Sequence, residues 1–125
     1  VMFGPCSAPE REGAADFCQS LAKGERVRID QPASICDGLC SYDVGEHNWP
    51  ILRDQVSAAV AVPDADTQDA MRWMYQRHGL RVEPSGAIGV AAALTGKVVL
   101  DGEGDVVIIV SGRNVDEARF AEWIA

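Results

Sequence analysis

The run Val106–Val110, with the sequence VVIIV, constrains the fold of this chain more than any other feature. An uninterrupted run of β-branched residues predicts a strand that is buried on both faces, as parallel strands are when helices cover both sides of their sheet. Shorter strand-like stretches occur at residues 1–4, 26–29, 58–62 and 80–83. The chain therefore has the material for several strands that pair side by side.

Helical patterns separate these stretches. Apolar residues recur at helical spacing over residues 13–23 and 70–78, and small residues dominate 85–94. A further helix is predicted to begin near Pro50, because proline is tolerated in the first turn, and another covers 115–124. Alternation of strands and helices predicts an α/β fold, with an open, mostly parallel sheet and helices on both faces. Residues 1–125 are predicted to form a single domain.

Charge and cysteine content exclude several classes of protein. The chain has 11 Lys and Arg against 19 Asp and Glu, a net charge of −8, which argues against a nucleic-acid or anionic-membrane surface. No apolar run approaches the ~18 residues that a transmembrane helix needs, and no signal peptide is visible. Cys36 and Cys40 are four residues apart, which fits neither a zinc knuckle nor a redox motif. We therefore expect reduced thiols and a cytoplasmic protein.

Three segments are candidates for a ligand site. Ligands of parallel sheets bind beyond the carboxyl ends of the strands. Ser111 and Gly112 follow the VVIIV run, Glu83 begins a Glu-Pro-Ser-Gly sequence after a shorter strand, and Gly38 lies in the long loop 31–49. The Ser111 hydroxyl can donate and accept, so it suits a heteroaromatic nitrogen or a phosphate. The alternative is that Ser111-Gly112 forms only a tight turn.

Acidic residues cluster where the first helix begins. Glu10, Glu12 and Asp16 suit the positive end of the helix dipole, which is sufficient to explain their presence. The same carboxylates, with a backbone carbonyl between Glu10 and Asp16, also match the ligands that Mg²⁺ or Ca²⁺ prefers. The residues alone leave both interpretations open.

Four short motifs occur together in a familiar order. They contain Asp37-Gly38, the helix start WPILRD at 49–54, VEPSGA at 82–87 and IVSGRNVD at 109–116. In this order and spacing they resemble the C-terminal part of the serine/threonine dehydratase family, from about residue 10 to the end. That family consists of pyridoxal-phosphate enzymes of the tryptophan-synthase-β fold type, and it includes threonine ammonia-lyases, serine racemases and 3-hydroxyaspartate ammonia-lyases. The resemblance implies the C-terminal half of a fold-type II enzyme.

The resemblance also implies roles for particular residues. Ser111 matches the serine whose hydroxyl hydrogen-bonds the pyridine nitrogen of pyridoxal phosphate, and Gly112 follows it in the same motif. Glu83 matches a glutamate near the cofactor ring, and Gly38 matches a glycine that lines the cofactor site. In metal-dependent members, residues matching Glu10, the Ala14 carbonyl and Asp16 hold Mg²⁺ or Ca²⁺.

The chain departs from the family in three ways. Arg113 stands where a second glycine is usual, and Cys36 replaces a usual alanine. Neither Lys23 nor Lys97 matches the lysine that binds the cofactor covalently, and the glycine-rich phosphate loop has no counterpart here. We therefore expect a fragment of an amino-acid ammonia-lyase or racemase that is inactive alone and forms a homodimer or higher even oligomer. The alternative is a stand-alone, non-catalytic α/β module that binds a ligand or assembles with other chains.

Overall fold

The computed structural model describes residues 2–6, 15–30, 32–99, 102 and 104–125. The elements follow one another as β1 (Met2–Cys6), α1 (Asp16–Lys23), α2 (Trp49–Gln55), β2 (Ala59–Pro63), α3 (Asp64–His78), α4 (Pro84–Leu94) and α5 (Glu117–Ile124), with one 3₁₀ turn at Asp37–Leu39 between α1 and α2. The architecture is α/β, as the alternation in the sequence predicts.

The two strands form a parallel pair. Met2 lies opposite Ala59 and Cys6 lies opposite Pro63, with the residues between them in register. Helices α1 and α4 contact both strands, and α3 packs along α4. α4 approaches its neighbours closely because its buried residues are small or compact, including Gly86, Ala87, Gly89, Ala91 and Ala92.

The core has two clusters. One lies under the sheet and contains Cys36, Val62, Ala70, Ile88, Ala91 and Ala92. The other joins the three C-terminal helices through Met71, Met74, Val82, Ala87 and Phe120. The second cluster holds α5 against α3 and α4, and the side chain of Asp116 caps α5 by accepting a hydrogen bond from the Arg119 N–H at 3.0 Å.

Three strand predictions are wrong in this structure. Residues 26–29 and 80–83 carry no strand pairing, although Ile29 donates one backbone hydrogen bond to Tyr42 at 2.7 Å. Val106–Val110 also lacks a ladder, and it is exposed rather than buried on both faces: Val107 is 85% and Ile109 84% accessible. A strand requires a partner as well as a suitable sequence, and the described residues place none beside this run.

Helix predictions fare better because their signals are local. The predicted starts of α2, α4 and α5 lie within two residues of the observed ones, and α3 ends at residue 78 as predicted. Helix α1 covers Asp16–Lys23 of the predicted 13–23. No helix in the described part of the chain is both long and apolar enough to cross a membrane.

Candidate functional site

Glu83 joins the start of α4 to the loop that follows Val110. The Asn114 N–H donates to Glu83 Oε2 at 2.9 Å, and the Glu83 N–H donates to the Gly112 carbonyl at 3.3 Å. Gly112 has φ = +81°, and a Cβ added there would lie 2.1 Å from Glu83 Oε1. The left-handed conformation and the lack of space both require glycine at this position. Two of the predicted site residues, Glu83 and Gly112, are therefore in direct contact.

Ser111 lies against the backbone of α4. A Cβ added at Gly86 would lie 1.6 Å from the Ser111 carbonyl oxygen, so only a glycine lets the two backbones come this close. Ser111 is exposed, and its hydroxyl makes no hydrogen bond with any described residue. The structure thus places Ser111 at the surface, directly before Gly112, the residue that contacts Glu83.

Gly38 approaches the same helix start from the other side. A Cβ added at Gly38 would lie 3.1 Å from Ser85 Oγ. That hydroxyl is buried and has no hydrogen-bond partner among the described residues. A buried polar group without a partner costs free energy, so Ser85 Oγ marks a place where the described residues leave one hydrogen bond unmade. All four predicted cofactor-binding residues therefore border the first turn of α4.

A cleft of about 580 Å³ adjoins this cluster. It is lined by residues from the loop 33–37 and from the beginnings of α3, α4 and α5, among them Ser34, Asp37, Asp64, Asn114, Asp116 and Arg119. The carboxylates of this cleft already accept hydrogen bonds from protein groups, as Asp37 does from the Gly38 N–H at 2.7 Å. The cleft reaches the neighbours of the cluster: it is lined by Pro84, which follows Glu83, and by Asn114, whose N–H donates to Glu83.

The predicted metal ligands are only partly described. Glu10 and Ala14 lie outside the described residues. Asp16 is the first residue of α1; it is buried, and its Oδ2 accepts a hydrogen bond from Ser41 Oγ at 3.0 Å. Burial raises the pKa of the Asp16 carboxyl, against the effect of that hydrogen bond. No group of three or more His, Cys, Asp or Glu side chains forms a metal site within the described ranges.

Cys36 is a structural rather than a reactive cysteine. Its side chain is fully buried in the core under the sheet, and this burial raises the pKa of the thiol to about 12. Burial also raises the pKa of Cys40, whose Sγ contacts the Cys36 carbonyl oxygen at 3.5 Å. Thiolate is the reactive form of cysteine, so neither residue suits nucleophilic or redox chemistry near neutral pH.

The sequence does not identify every contact of the cluster. Ser85 and Gly86 lie in the Glu-Pro-Ser-Gly candidate segment, but their individual contacts with Gly38 and Ser111 cannot be predicted from it. The Asn114 backbone N–H was not predicted as the donor to Glu83. The only sequence signal for these contacts is the small size of Gly86 and Gly38, which becomes informative once the neighbours are known.

Comparisons with known proteins identify the family of this chain. A family model described as pyridoxal-phosphate dependent enzyme matches residues 5–112. An L-threo-3-hydroxyaspartate ammonia-lyase of a Pseudomonas species is 39% identical over 115 residues, which cover 92% of this chain and 36% of that protein.

Solved structures show the same fold. The structure of maize serine racemase superposes with a TM-score of 0.82 at 36% identity, covering 95% of this chain and 36% of that one. A threonine deaminase from T.th. superposes with a TM-score of 0.78 at 29% identity, covering 93% and 40%. The fold is that of fold-type II enzymes, and the chain spans about one third of the length of the relatives it matches.

Proposed function

We propose that this chain, which belongs to the family of pyridoxal-phosphate dependent enzymes, supplies the surface that faces the pyridine ring in an amino-acid ammonia-lyase or racemase. The proposed substrates are serine, threonine or 3-hydroxyaspartate, by analogy with relatives named for them. One observation carries the proposal: Ser111 is exposed at the carboxyl end of the VVIIV segment, its hydroxyl has no partner among the described residues, and it directly precedes Gly112, which contacts Glu83.

The residues present fit one edge of the cofactor. Pyridoxal phosphate, when bound, supplies an electron sink for electrons released at the α-carbon of an amino acid. The Ser111 hydroxyl has no hydrogen-bond partner among the described residues, so it is available to donate a hydrogen bond to the pyridine nitrogen. Gly38, Gly86 and Gly112 let Ser85, Ser111 and Glu83 approach one another closely at the start of α4, because a Cβ at any of the three would meet one of those residues. Ser111 as a neutral donor leaves the ring nitrogen unprotonated, which moderates the electron sink.

Glu83 has a supporting role in this proposal. One carboxylate oxygen accepts the Asn114 N–H at 2.9 Å, while the Glu83 N–H donates to the Gly112 carbonyl. These two bonds fix residues 112 and 114, just after Ser111. Glu83 therefore orients Ser111 toward the ligand, and it adds negative charge at the edge of the ring.

The chain alone is proposed to be inactive. Lys23 at the end of α1 and Lys97 in the turn after α4 are both exposed, and no described contact joins either lysine side chain to Ser111 or Glu83. The remaining two thirds of the matched enzymes would have to contribute the covalent lysine and the phosphate loop. The alternative, a non-catalytic binding or assembly module, is the outcome if such a combination never becomes active.

A metal ion and a compartment complete the proposal. We expect Glu10, the Ala14 carbonyl and Asp16 to bind Mg²⁺ or Ca²⁺ weakly, because three protein oxygens leave a hard cation largely hydrated. We also propose a cytoplasmic location, where the Cys36 and Cys40 thiols would stay reduced.

Self-association is proposed from the exposed VVIIV segment. Val106, Val107, Ile109 and Val110 are between 42% and 85% accessible, and the segment has no strand partner among the described residues. Exposed extended apolar segments promote pairing with another chain, and two-fold dimers are the commonest closed assembly. Sedimentation equilibrium over a hundredfold range of concentration is expected to show a dimer or higher even oligomer. A 13.4 kDa species at every concentration would contradict self-association.

A chimera tests the proposed function. The matching third of maize serine racemase is replaced by this chain, and racemisation and ammonia release are measured with serine, threonine and 3-hydroxyaspartate. We expect a folded, cofactor-binding enzyme whose activity falls at least tenfold in the Ser111→Ala variant. A folded chimera without activity, or one indifferent to Ser111→Ala, would contradict the assigned role and favour the non-catalytic module.

A further inference from the structure

The carboxylate of Asp64 holds the turn of residues 34–36. Ser34 Oγ donates to Asp64 Oδ1 at 2.5 Å, and the Ile35 N–H donates to Asp64 Oδ2 at 3.1 Å. The Cys36 N–H in turn donates to Ser34 Oγ at 3.1 Å. Both carboxylate oxygens and the hydroxyl are therefore used, and the three bonds close one small network. Hydrogen bonds to a charged acceptor are stronger than neutral ones.

Asp64 stands on a rigid part of the molecule. It is the first residue of α3, directly after β2, and α3 packs along the buried helix α4. An acidic residue in the first helical turn also suits the dipole, but Asp66 supplies a second carboxylate to the same turn and has no hydrogen bond with a described residue. Substituting each aspartate in turn therefore distinguishes the effect of a charge near the helix dipole from the effect of the Asp64 hydrogen bonds.

The turn that Asp64 holds leads directly to Gly38. Cys36 inserts into the core, the 3₁₀ turn begins at Asp37, and Gly38 lies against the Ser85 hydroxyl at the start of α4. Within the described structure, the hydrogen bonds that link this turn to α3 are the two that Asp64 accepts and one between the side chains of Cys36 and Thr67. If the Asp64 bonds are lost, Ser34 and Ile35 form hydrogen bonds with water instead. Gly38 then stays against α4 only through the side chain of Cys36 and its neighbours.

We infer that Asp64 is a positioning residue, whose carboxylate fixes the 34–36 turn so that Gly38 stays in contact with the start of α4. This inference rests on the proposed function, in which Gly38 borders the cofactor. Its consequence is a specific local motion: without the carboxylate, the loop 33–40 separates from α3 while the helices remain folded.

The test measures this opening through the Cys36 thiol. Cys36 is fully buried in the closed loop, so alkylation by iodoacetamide requires opening. Peptide-resolved mass spectrometry gives its rate in the full chain and in the variants Asp64→Ala, Asp64→Asn and Asp66→Ala. Each rate is corrected for the global stability of the same variant, measured by urea unfolding.

We expect Asp64→Ala to accelerate Cys36 alkylation at least tenfold beyond the global correction, with faster amide exchange at Ile35 and Cys36. Asp64→Asn keeps one acceptor, so its rate of Cys36 alkylation is expected to lie between those of Asp64→Ala and the parent chain. It also replaces the alanine variant in the test if that variant fails to fold. Asp66→Ala is expected to match the parent chain. Equal effects of Asp64→Ala and Asp66→Ala, or no effect after correction, would overturn the inference. The assay needs no cofactor, so its failure is separate from failure of the proposed function.

Discussion

Replacing Gly112 by alanine tests the contact on which the site depends. The new Cβ would lie 2.1 Å from Glu83 Oε1 and 2.2 Å from Glu83 Cδ, and φ of +81° is unfavourable for alanine. The backbone strain costs about 1–2 kcal/mol. The displaced carboxylate also loses the Asn114 N–H, an exposed charge-assisted bond for which about 1–2 kcal/mol is a fair estimate.

Gly24→Ala is the matched control. Gly24 has φ = +73°, nearly the same strain, but nothing lies within 4 Å of its added Cβ. Both substitutions reduce the entropy of the unfolded chain equally, so this effect cancels between them. Gly112→Ala is therefore expected to lower the free energy of unfolding by about 1–2 kcal/mol more than Gly24→Ala does.

Urea unfolding followed by circular dichroism measures this difference, and amide exchange at Asn114 shows whether the Glu83 bond is lost. We expect faster exchange at Asn114 in Gly112→Ala and unchanged exchange in Gly24→Ala. Equal unfolding free energies for the two variants, with Asn114 still protected in Gly112→Ala, would refute the description of Glu83 and Gly112 as tightly packed.

Three further predictions concern the cofactor, the metal and the thiol. After incubation with pyridoxal phosphate and reduction by borohydride, the intact mass of the chain is expected to show no stoichiometric adduct on Lys23 or Lys97, because neither lies in the site; one complete adduct would count against this. Calorimetric titration with Ca²⁺ and Mg²⁺ is expected to give weak heats that disappear in Asp16→Asn, whereas equal heats would leave Asp16 as a helix-start residue only. The pKa of about 12 for Cys36 means that the unfolded thiol ionises near pH 9 while the folded thiol stays protonated, so stability falls as pH rises above 9. Between pH 8 and pH 10, the free energy of unfolding of Cys36→Ala is expected to fall by about 1 kcal/mol less than that of the parent chain, as measured by urea unfolding. Parallel pH profiles of the two proteins would contradict this.

Local signals account for what the sequence predicts well. The helices have apolar periodicity, prolines in their first turns and glycines after their ends, all of which act within a few residues. The strand-like stretch 58–62 is confirmed as β2, and unlike the other short stretches it has a partner, because β1 lies beside it in parallel register. Val106–Val110 has an equally strong strand composition, yet its structure depends on a neighbour that composition cannot supply.

The candidate site is likewise predictable only in part. Motifs pointed to Gly38, Glu83, Ser111 and Gly112, and the structure brings these residues to one helix start. The contacts that hold them there, such as Gly86 against Ser111 and Asp64 with the 34–36 turn, join segments about 25–30 residues apart. Such contacts follow from the path of the chain and cannot be predicted from residue types.

We propose that Ser111, with Glu83, Gly112 and Gly38, forms the surface that meets the pyridine ring. Titration of the isotope-labelled chain with pyridoxal phosphate, followed by amide chemical shifts, tests it most directly. We expect shifts concentrated at Gly38, Glu83, Ser111 and Gly112, and their loss in Ser111→Ala. Shifts confined to the surroundings of Lys23 and Lys97, unchanged by Ser111→Ala, would contradict it.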